Sequence, residues 1–419
     1  MRTPREWWVV GRDRCGPYHS GMFSAIPEVL DDIRRGKFVI LVDDEDRENE
    51  GDLILAAEHA TPEKINFMTR FAGGYLCLVL TEEDCDRLHL DPQTPKNTAT
   101  RGTAFTVSID AHPRHGVTTG ISASDRATCI RLAVDPGSTP EDFVRPGHIN
   151  PLRSRRGGVL VRLGQTEGSV DLARLAGCHP AALLIEIVRA DGQMARRPDL
   201  EVLAKEHGFK ICSVEQLIRY RLQHEPIVKR MEPANGTKIQ TEMGEFTLIA
   251  FESAVDPLPH LALTVGGVGR LDASGRAVRR EEPTLVRMHR RHLLGDVFLE
   301  SGSSRDGGTS AHVLHAAMRA IQKEGAGALV YLRPSGHGDE LSHRLTAIRS
   351  LHGREDAPDL HSMAGVGASS VPMEWREFGV GGQILRDLGL SRLRLLTNQK
   401  KAMPGLDAFG LQIQDQVSF

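Results

Sequence analysis

A short apolar run breaks abruptly into a block of carboxylates near the start of the chain, and that junction limits what the chain can fold into. Phe38-Val39-Ile40-Leu41-Val42 is apolar and β-branched, the pattern of a buried strand. Asp43-Asp44-Glu45-Asp46-Arg47-Glu48-Asn49-Glu50-Gly51-Asp52 follows at once, with seven carboxylates in ten positions. Like charges this close repel one another, and a folded chain tolerates them when a cation or a cationic side chain neutralises the cluster. Hard divalent cations such as Mg²⁺ take oxygen ligands and keep several waters that a substrate can replace. A strand ending in such a loop is therefore a candidate metal-assisted site. The competing reading is a solvated acidic turn, the usual fate of a charge run.

The rest of the chain decides between them. At 419 residues it is too long for one ordinary core, so two domains are expected. A formal net charge of -3 gives no electrostatic case for nucleic acid or an anionic membrane, and 5% aromatic content argues against base-stacking platforms. No apolar run approaches the ~20 residues needed to span a bilayer. Trp7-Trp8-Val9-Val10 is too short for the core of a signal peptide, so a cytoplasmic protein is expected. The cysteines, Cys15, Cys77, Cys85, Cys129, Cys178 and Cys212, show no C-x-x-C spacing and all lie in the first half.

Strand-like and helix-like signals alternate in both halves, which predicts a two-domain α/β (α+β) protein. Helices are expected over 26–35, 61–71 (opened by a Thr61 cap with Pro62 behind it), 200–207, 213–220, 309–323 and 383–388. Strands are expected over 38–42, 76–80, 105–110, 182–188, 246–251, 328–332 and 393–396. Loop composition at His224-Glu225-Pro226 and Glu232-Pro233-Ala234-Asn235-Gly236 suggests a first domain over 1–225, a linker over 226–240 and a second domain over 241–419.

Val42 to Leu53 resembles the signature loop of 3,4-dihydroxy-2-butanone 4-phosphate synthase. Four more segments follow in that family's order: Gly102-Thr103-Ala104-Phe105-Thr106-Val107, then Gly116-Val117-Thr118-Thr119-Gly120-Ile121-Ser122-Ala123-Ser124-Asp125-Arg126, then Arg145-Pro146-Gly147-His148, then Gly157 to Leu160 with Thr166 to Ala173. The resemblance runs from about Phe23 to Arg221. It implies a mixed-sheet synthase domain, conversion of ribulose 5-phosphate to 3,4-dihydroxy-2-butanone 4-phosphate and formate, and Mg²⁺ or Mn²⁺ as cofactor. It implies Glu48 as metal ligand, with Arg47, Glu48, Asp52, Arg162, Thr166 and Glu186 contacting a small-molecule sugar phosphate. His148 and Glu186 match the family's acid-base pair. Many relatives place a metal-binding His where this chain has Gln165, whose amide oxygen can also take Mg²⁺. The resemblance further implies a homodimer with active sites near the subunit interface.

From about Thr247 to Phe419 the chain resembles GTP cyclohydrolase II, a smaller α/β domain. The matching pieces are Val286-Arg287-Met288-His289, Leu294-Gly295-Asp296-Val297-Phe298, Gly381 to Gly389, and Arg394-Leu395-Leu396-Thr397-Asn398. That family holds a catalytic zinc with three cysteines. Here His292 stands at the first position and Ser303-Ser304-Arg305-Asp306-Gly307-Gly308 at the later pair, so no zinc is expected. The phosphate loop reads Arg333-Pro334-Ser335-Gly336-His337-Gly338-Asp339-Glu340, which adds negative charge where a triphosphate would approach. Of the catalytic Asp-x-Arg pair, Arg376 remains, and a tyrosine near Ile348 is absent. The expectation is a lyase with a non-catalytic extension. The alternatives are a bifunctional enzyme with a second site rebuilt from the histidines between His289 and His361, and a non-enzymatic binding or regulatory protein.

Overall fold

The computed structural model describes residues 23–43, 47–99, 102–300, 309–333, 373–397 and 409–418, with the side chains of 373–378 left aside. The segments at 303–308, 334–340 and Ile348, the side chain of Arg376, and Asp44 to Asp46 lie outside the described residues.

In the first half the chain runs α1 (Ile26–Arg34), β1 (Val39–Val42), β2 (Gly51–Ala56), α2 (Pro62–Phe71), β3 (Cys77–Leu80), α3 (Glu82–Arg87), β4 (Ile109–Ala111), α4 (Ala123–Val134), β5 (Phe143–Arg153), α5 (Gln165–Leu175), β6 (Ala182–Glu186), α6 (Arg197–His207), β7 (Lys210–Ser213) and α7 (Val214–His224). Its mixed sheet has the order β4-β5-β3-β6-β2-β1-β7. β1, β2 and β3 are buried at every position, because helices cover both faces. Leu41, Ile54, Val79 and Leu184 pack with α1, α5 and α7 on one face. Ile40, Leu53, Leu78 and Ile185 pack with α2, α4 and α6 on the other.

The second half continues with β8 (Val228–Arg230), β9 (Thr237–Thr241), β10 (Gly244–Ser253), β11 (His260–Val265), β12 (Thr284–Arg290), α8 (Leu293–Val297), α9 (Ser310–Glu324), β13 (Gly327–Leu332), α10 (Met373–Asp387), β14 (Arg392–Leu396) and β15 (Gln412–Val417). Its sheet has the order β15-β14-β12-β13-β11-β10-β8, with β9 pairing β10.

Most expected elements form where the caps and periodicity put them. Thr61 accepts from Lys64 N at the start of α2, and Ser213 and Gln216 form a capping box on α7. Two readings change. Residues 226–240 are not a bare connector, because they hold β8 and most of β9, and both strands pair with β10. The alternating run 105–110 is a strand only from Ile109; Phe105 and Thr106 make single bridges to Leu152 and Pro92.

Candidate active site

Asp43 builds the acidic loop. Its carboxylate is buried at the end of β1 and accepts from three donors: Glu50 N (2.9 Å), Glu48 N (3.0 Å) and Arg47 Nη1 (2.8 Å). Arg47 Nη1 also donates to Glu48 Oε2 (2.5 Å) and to Gln165 Oε1 (3.1 Å), which docks the loop on the first residue of α5. From the N-cap position of α6, Arg196 donates to the carbonyls of Glu48 (2.7 Å) and Asn49 (2.6 Å). The loop is thus a folded device held by two guanidinium groups, and sequence reading had found only one of them.

β2 carries the end of the acidic run into the sheet. Asp52 pairs in register with Glu186 on β6 and with Leu41 on β1. Directly opposed residues of an antiparallel ladder hold their Cβ atoms about 4.5–5.5 Å apart on one face. Burial, then the charges of Glu186, Asp43, Glu50 and Glu48, hold the Asp52 carboxyl well above the usual range. Its Oδ1 is buried and has no hydrogen-bond partner among the described residues. Glu50 is raised too, by burial first and by Glu48 next. Five carboxylates therefore face Arg47 and Arg196, which leaves an excess of negative charge and one orphaned oxygen. Carboxylate and amide oxygens are the donors a hard divalent cation selects, so the residues present fit Mg²⁺ or Mn²⁺.

Glu186 is held from β3's side of the sheet. Its Oε2 accepts from Tyr75 N (2.9 Å), and a Cβ on Gly74 would stand 2.3 Å from its backbone oxygen and 2.7 Å from Oε2. Gly74 has to be glycine for that approach.

His148 lies on β5 at the same level of the sheet. Cys77 pairs with both Asn150 and Leu184, and His148 and Glu186 each lie two residues along from those partners. Asp52, Glu186 and His148 thus form a row across β2, β6 and β5 with β3 between. His148 Nδ1 meets Asp110 Oδ2 at 2.7 Å, and its backbone N donates to Asp110 Oδ1 at 2.9 Å. A Cβ on Gly120 would fall 2.1 Å from Asp110 Oδ2, so the glycine-rich loop closes on the carboxylate that orients the histidine. Nothing in the sequence pattern singles out Asp110, which comes to His148 only through the β4–β5 pairing.

The remaining expected residues sit around the start of α5. Arg162 Nη1 donates to Glu167 Oε2 (2.6 Å) in a buried ion pair. Burial pushes the Glu167 carboxyl up, and Arg162 opposes it. Thr166 is 9% exposed, and its carbonyl accepts from Ser169 Oγ (2.9 Å). Arg47, Glu48 and Gln165 are brought into contact, and Asp52 and Glu186 are adjacent. Arg162 is joined to Glu167, with Thr166 beside it on α5.

In the second half the pieces that resemble the second family assemble into a polar cluster under β12. Asp296 accepts from His292 N (2.8 Å) and Tyr331 Oη (2.7 Å), and its Oδ1 meets His289 Nε2 at 3.2 Å. These partners outweigh burial and hold the Asp296 carboxyl far below the usual range. His292 Nδ1 accepts from Gly295 N (2.8 Å), capping α8.

Residues 27–220 match the family model of 3,4-dihydroxy-2-butanone 4-phosphate synthase, and residues 232–418 match that of GTP cyclohydrolase II. Fold and site define the class, a two-domain α/β lyase. The riboflavin biosynthesis protein RibBA of Aquifex aeolicus is 44% identical over 396 residues, covering 94% of this chain and 92% of that protein. RibBA of Mycobacteroides abscessus is 46% identical over 398 residues, 94% of this chain and 90% of that one. The chain belongs to this RibBA family of riboflavin biosynthesis proteins, and its first half is a 3,4-dihydroxy-2-butanone 4-phosphate synthase. Among solved structures it resembles RibBX, a two-domain 3,4-dihydroxy-2-butanone 4-phosphate synthase from A. baumannii, with a TM-score of 0.70 and 37% identity over 94% of this chain and 99% of that one. No helix among the described residues is long and apolar enough to cross a membrane.

Proposed function

We propose that the first half converts D-ribulose 5-phosphate to 3,4-dihydroxy-2-butanone 4-phosphate and formate with Mg²⁺ or Mn²⁺, and that the second half does not open GTP. The observation that carries the first part is buried Asp52, opposed to Glu186 and left with an unpartnered oxygen. Glu48 and Gln165 would hold the divalent ion, which when bound stabilises negative charge on sugar oxygens as a Lewis acid. Asp52 accepts a sugar hydroxyl with its free oxygen. Glu186, fixed by Tyr75 N, and His148, fixed through Nδ1 by Asp110, move protons between the sugar carbons and oxygens. Arg47, which now bridges Glu48 and Gln165, would supply a fixed positive charge to the substrate, and Arg162 and Thr166 would complete the wall at α5. Formate release from ribulose 5-phosphate, dependent on Mg²⁺ or Mn²⁺ and lost in Glu48→Ala, tests this reading; no formate at any concentration of either ion would refute it.

The second part rests on His292. It replaces a zinc-binding cysteine, and its Nδ1 is engaged in capping α8. Asp296 is likewise saturated by His292 N and Tyr331. The scaffold persists without a thiolate among its described residues, and its contacts with α7 give it a structural use. Formate and pyrophosphate released from GTP by the full-length protein would overturn this and favour the bifunctional reading instead. The proposal includes a cytoplasmic homodimer: the His148 side chain is 45% exposed in the single chain, as a group awaiting cover by a second subunit would be. Sedimentation of the full-length protein checks the dimer.

A further inference from the structure

We propose that Glu58, His59 and Cys178 form a second metal site, for a borderline-soft divalent cation such as Zn²⁺, at the end of the first sheet opposite the synthase site. The three ligand atoms lie within 4.8 Å of one another. His59 Nε2 is 4.0 Å from Cys178 Sγ and 3.7 Å from Glu58 Oε1. Around a tetrahedral zinc, with bonds of about 2.0–2.3 Å, ligand atoms stand roughly 3.3–3.7 Å apart. The two edges at His59 close with a contraction of a few tenths of an ångström, and the third, within 4.8 Å, with about 1.3 Å at most, which side-chain rotation supplies.

The positions are fixed by the fold. Glu58 and His59 occupy the short turn Ala57–His59 that ends β2, and Cys178 occupies the connection from α5 to β6. Ala57 N donates to Ala181 O (3.0 Å), and Ala56 pairs with Ala182, so the two segments are laced together. Asp52 and Glu186 mark the other ends of the same two strands. At about 3.4 Å per residue, that places the two sites on the order of 20 Å apart.

The groups around the cluster orient it. His179 N donates to Glu58 Oε2 (2.8 Å), leaving Oε1 toward His59. The His179 ring meets Asp84 Oδ2 at 2.8 Å, and Arg87 binds the same carboxylate. Nearby, Arg34 donates to Ala176 O and Asp31, and a Cβ on Gly36 would fall 2.9 Å from both Lys64 Nζ and His59 Cγ. Cys178 is half-buried, whereas Cys77, Cys85, Cys129 and Cys212 are buried. Sulfur, imidazole nitrogen and a carboxylate oxygen select Zn²⁺ over Mg²⁺, and three protein ligands leave a fourth position for water. Burial first, then the Glu58 charge, push the Cys178 thiol up to about 11, so the metal-free site holds a proton on sulfur. Metal binding forms the metal–sulfur bond and releases that proton to solvent. The product is a clip between the turn after β2 and the tail of α5. The expectation of no zinc rested on the second half's missing cysteines and did not reach these residues, which are remote in sequence.

The test uses full-length protein with the synthase site saturated by Mg²⁺, titrated with Co²⁺ and Zn²⁺. Expected are one equivalent of Co²⁺ with a thiolate-to-cobalt charge-transfer band, and a rise in Tm with Zn²⁺. Cys178→Ser should remove the band, and His59→Ala should weaken binding at least about tenfold. Both variants should keep the Mg²⁺-dependent synthase rate. Cys178→Ala serves if the serine variant fails to fold. No band at submillimolar Co²⁺, or an undiminished band in both Cys178 variants, would overturn the site. Neither result depends on the identity of the synthase substrate.

Discussion

Asp52 and Glu186 face each other directly across the antiparallel β2–β6 ladder, two carboxylates on one face of a buried sheet. Like charges opposed in this way destabilise a sheet. On the proposed mechanism a substrate with its cation would use those charges, so the fold would carry a cost that activity requires.

Asp52→Asn should therefore stabilise the metal-free protein and abolish formate release. The folded-state pKa of Asp52 is raised, so the native chain holds this proton to higher pH than the unfolded chain. Between the two pKa values the unfolded state binds fewer protons, and stability falls as pH rises through that window. The variant removes this loss. Its Tm should exceed the parent's by a few degrees at pH 7–8, and the difference should shrink toward pH 4. A Tm equal to or below the parent's at pH 8 would contradict the account.

Asp110→Asn should lower kcat by roughly ten- to a hundredfold with KM little changed, because Asp110 touches His148 and orients it rather than binding the sugar. His148→Ala should cost more, and the double variant should be no worse than His148→Ala alone. Additive losses in steady-state kinetics would show that Asp110 acts elsewhere.

The fold was largely legible because β1 and β3 are covered on both faces and read, with most of β6, as apolar runs, and because α2 and α7 carry clear caps; β2 was missed, since Gly51 and Asp52 continue the acidic run into the strand. Residues 226–240 misled because Pro and Gly composition describes turns, while the pairing of β8 and β9 with β10 is a tertiary fact. The expected site residues were named through an ordered set of motifs that resembles the family's. Asp110, Gly74 and Arg196 were not, since each acts on a residue distant in sequence: Asp110 on His148, Gly74 on Glu186, Arg196 on the loop at Glu48. Cys178 and His59 escaped for the same reason.

Gln165→His should tighten the divalent ion. In this chain Arg47 Nη1 bridges Glu48 Oε2 and Gln165 Oε1, and a cation held by those two residues, as proposed, would have to displace it from both. A neutral amide is a weaker ligand than imidazole for Mn²⁺ and heavier ions. The variant's half-saturating Mn²⁺ concentration in formate release should fall about three- to tenfold, with a smaller change for Mg²⁺. Unchanged Mn²⁺ titration would mean that residue 165 is not a ligand.

The two halves are joined by Gln383, whose side chain uses both ends of its amide at the seam. Nε2 donates to Leu222 O (2.9 Å) and Glu225 O (2.8 Å), the free carbonyls at the end of α7, and Oε1 accepts from Ile227 N (2.8 Å) just before β8. Nearby, a Cβ on Gly379 would fall 2.4 Å from Leu222 Cδ2, so α10 lies directly against α7. Gln383→Ala leaves two carbonyls and one N–H unsatisfied in a part-buried place, at a cost on the order of 1–3 kcal/mol for the group. Gln383→Glu keeps the acceptor for Ile227 N but sets a carboxylate against the two carbonyls, and should cost at least as much as Gln383→Ala. If the second half serves as a support for the first, Gln383→Ala should make the chain cleavable by protease near 225–227 and lower the Tm of the synthase transition. Its initial rate of formate release at 25 °C should stay near the parent's, since the seam is remote from the β2–β6 row. Unchanged protease resistance together with an unchanged Tm would show that the halves are held by apolar packing alone.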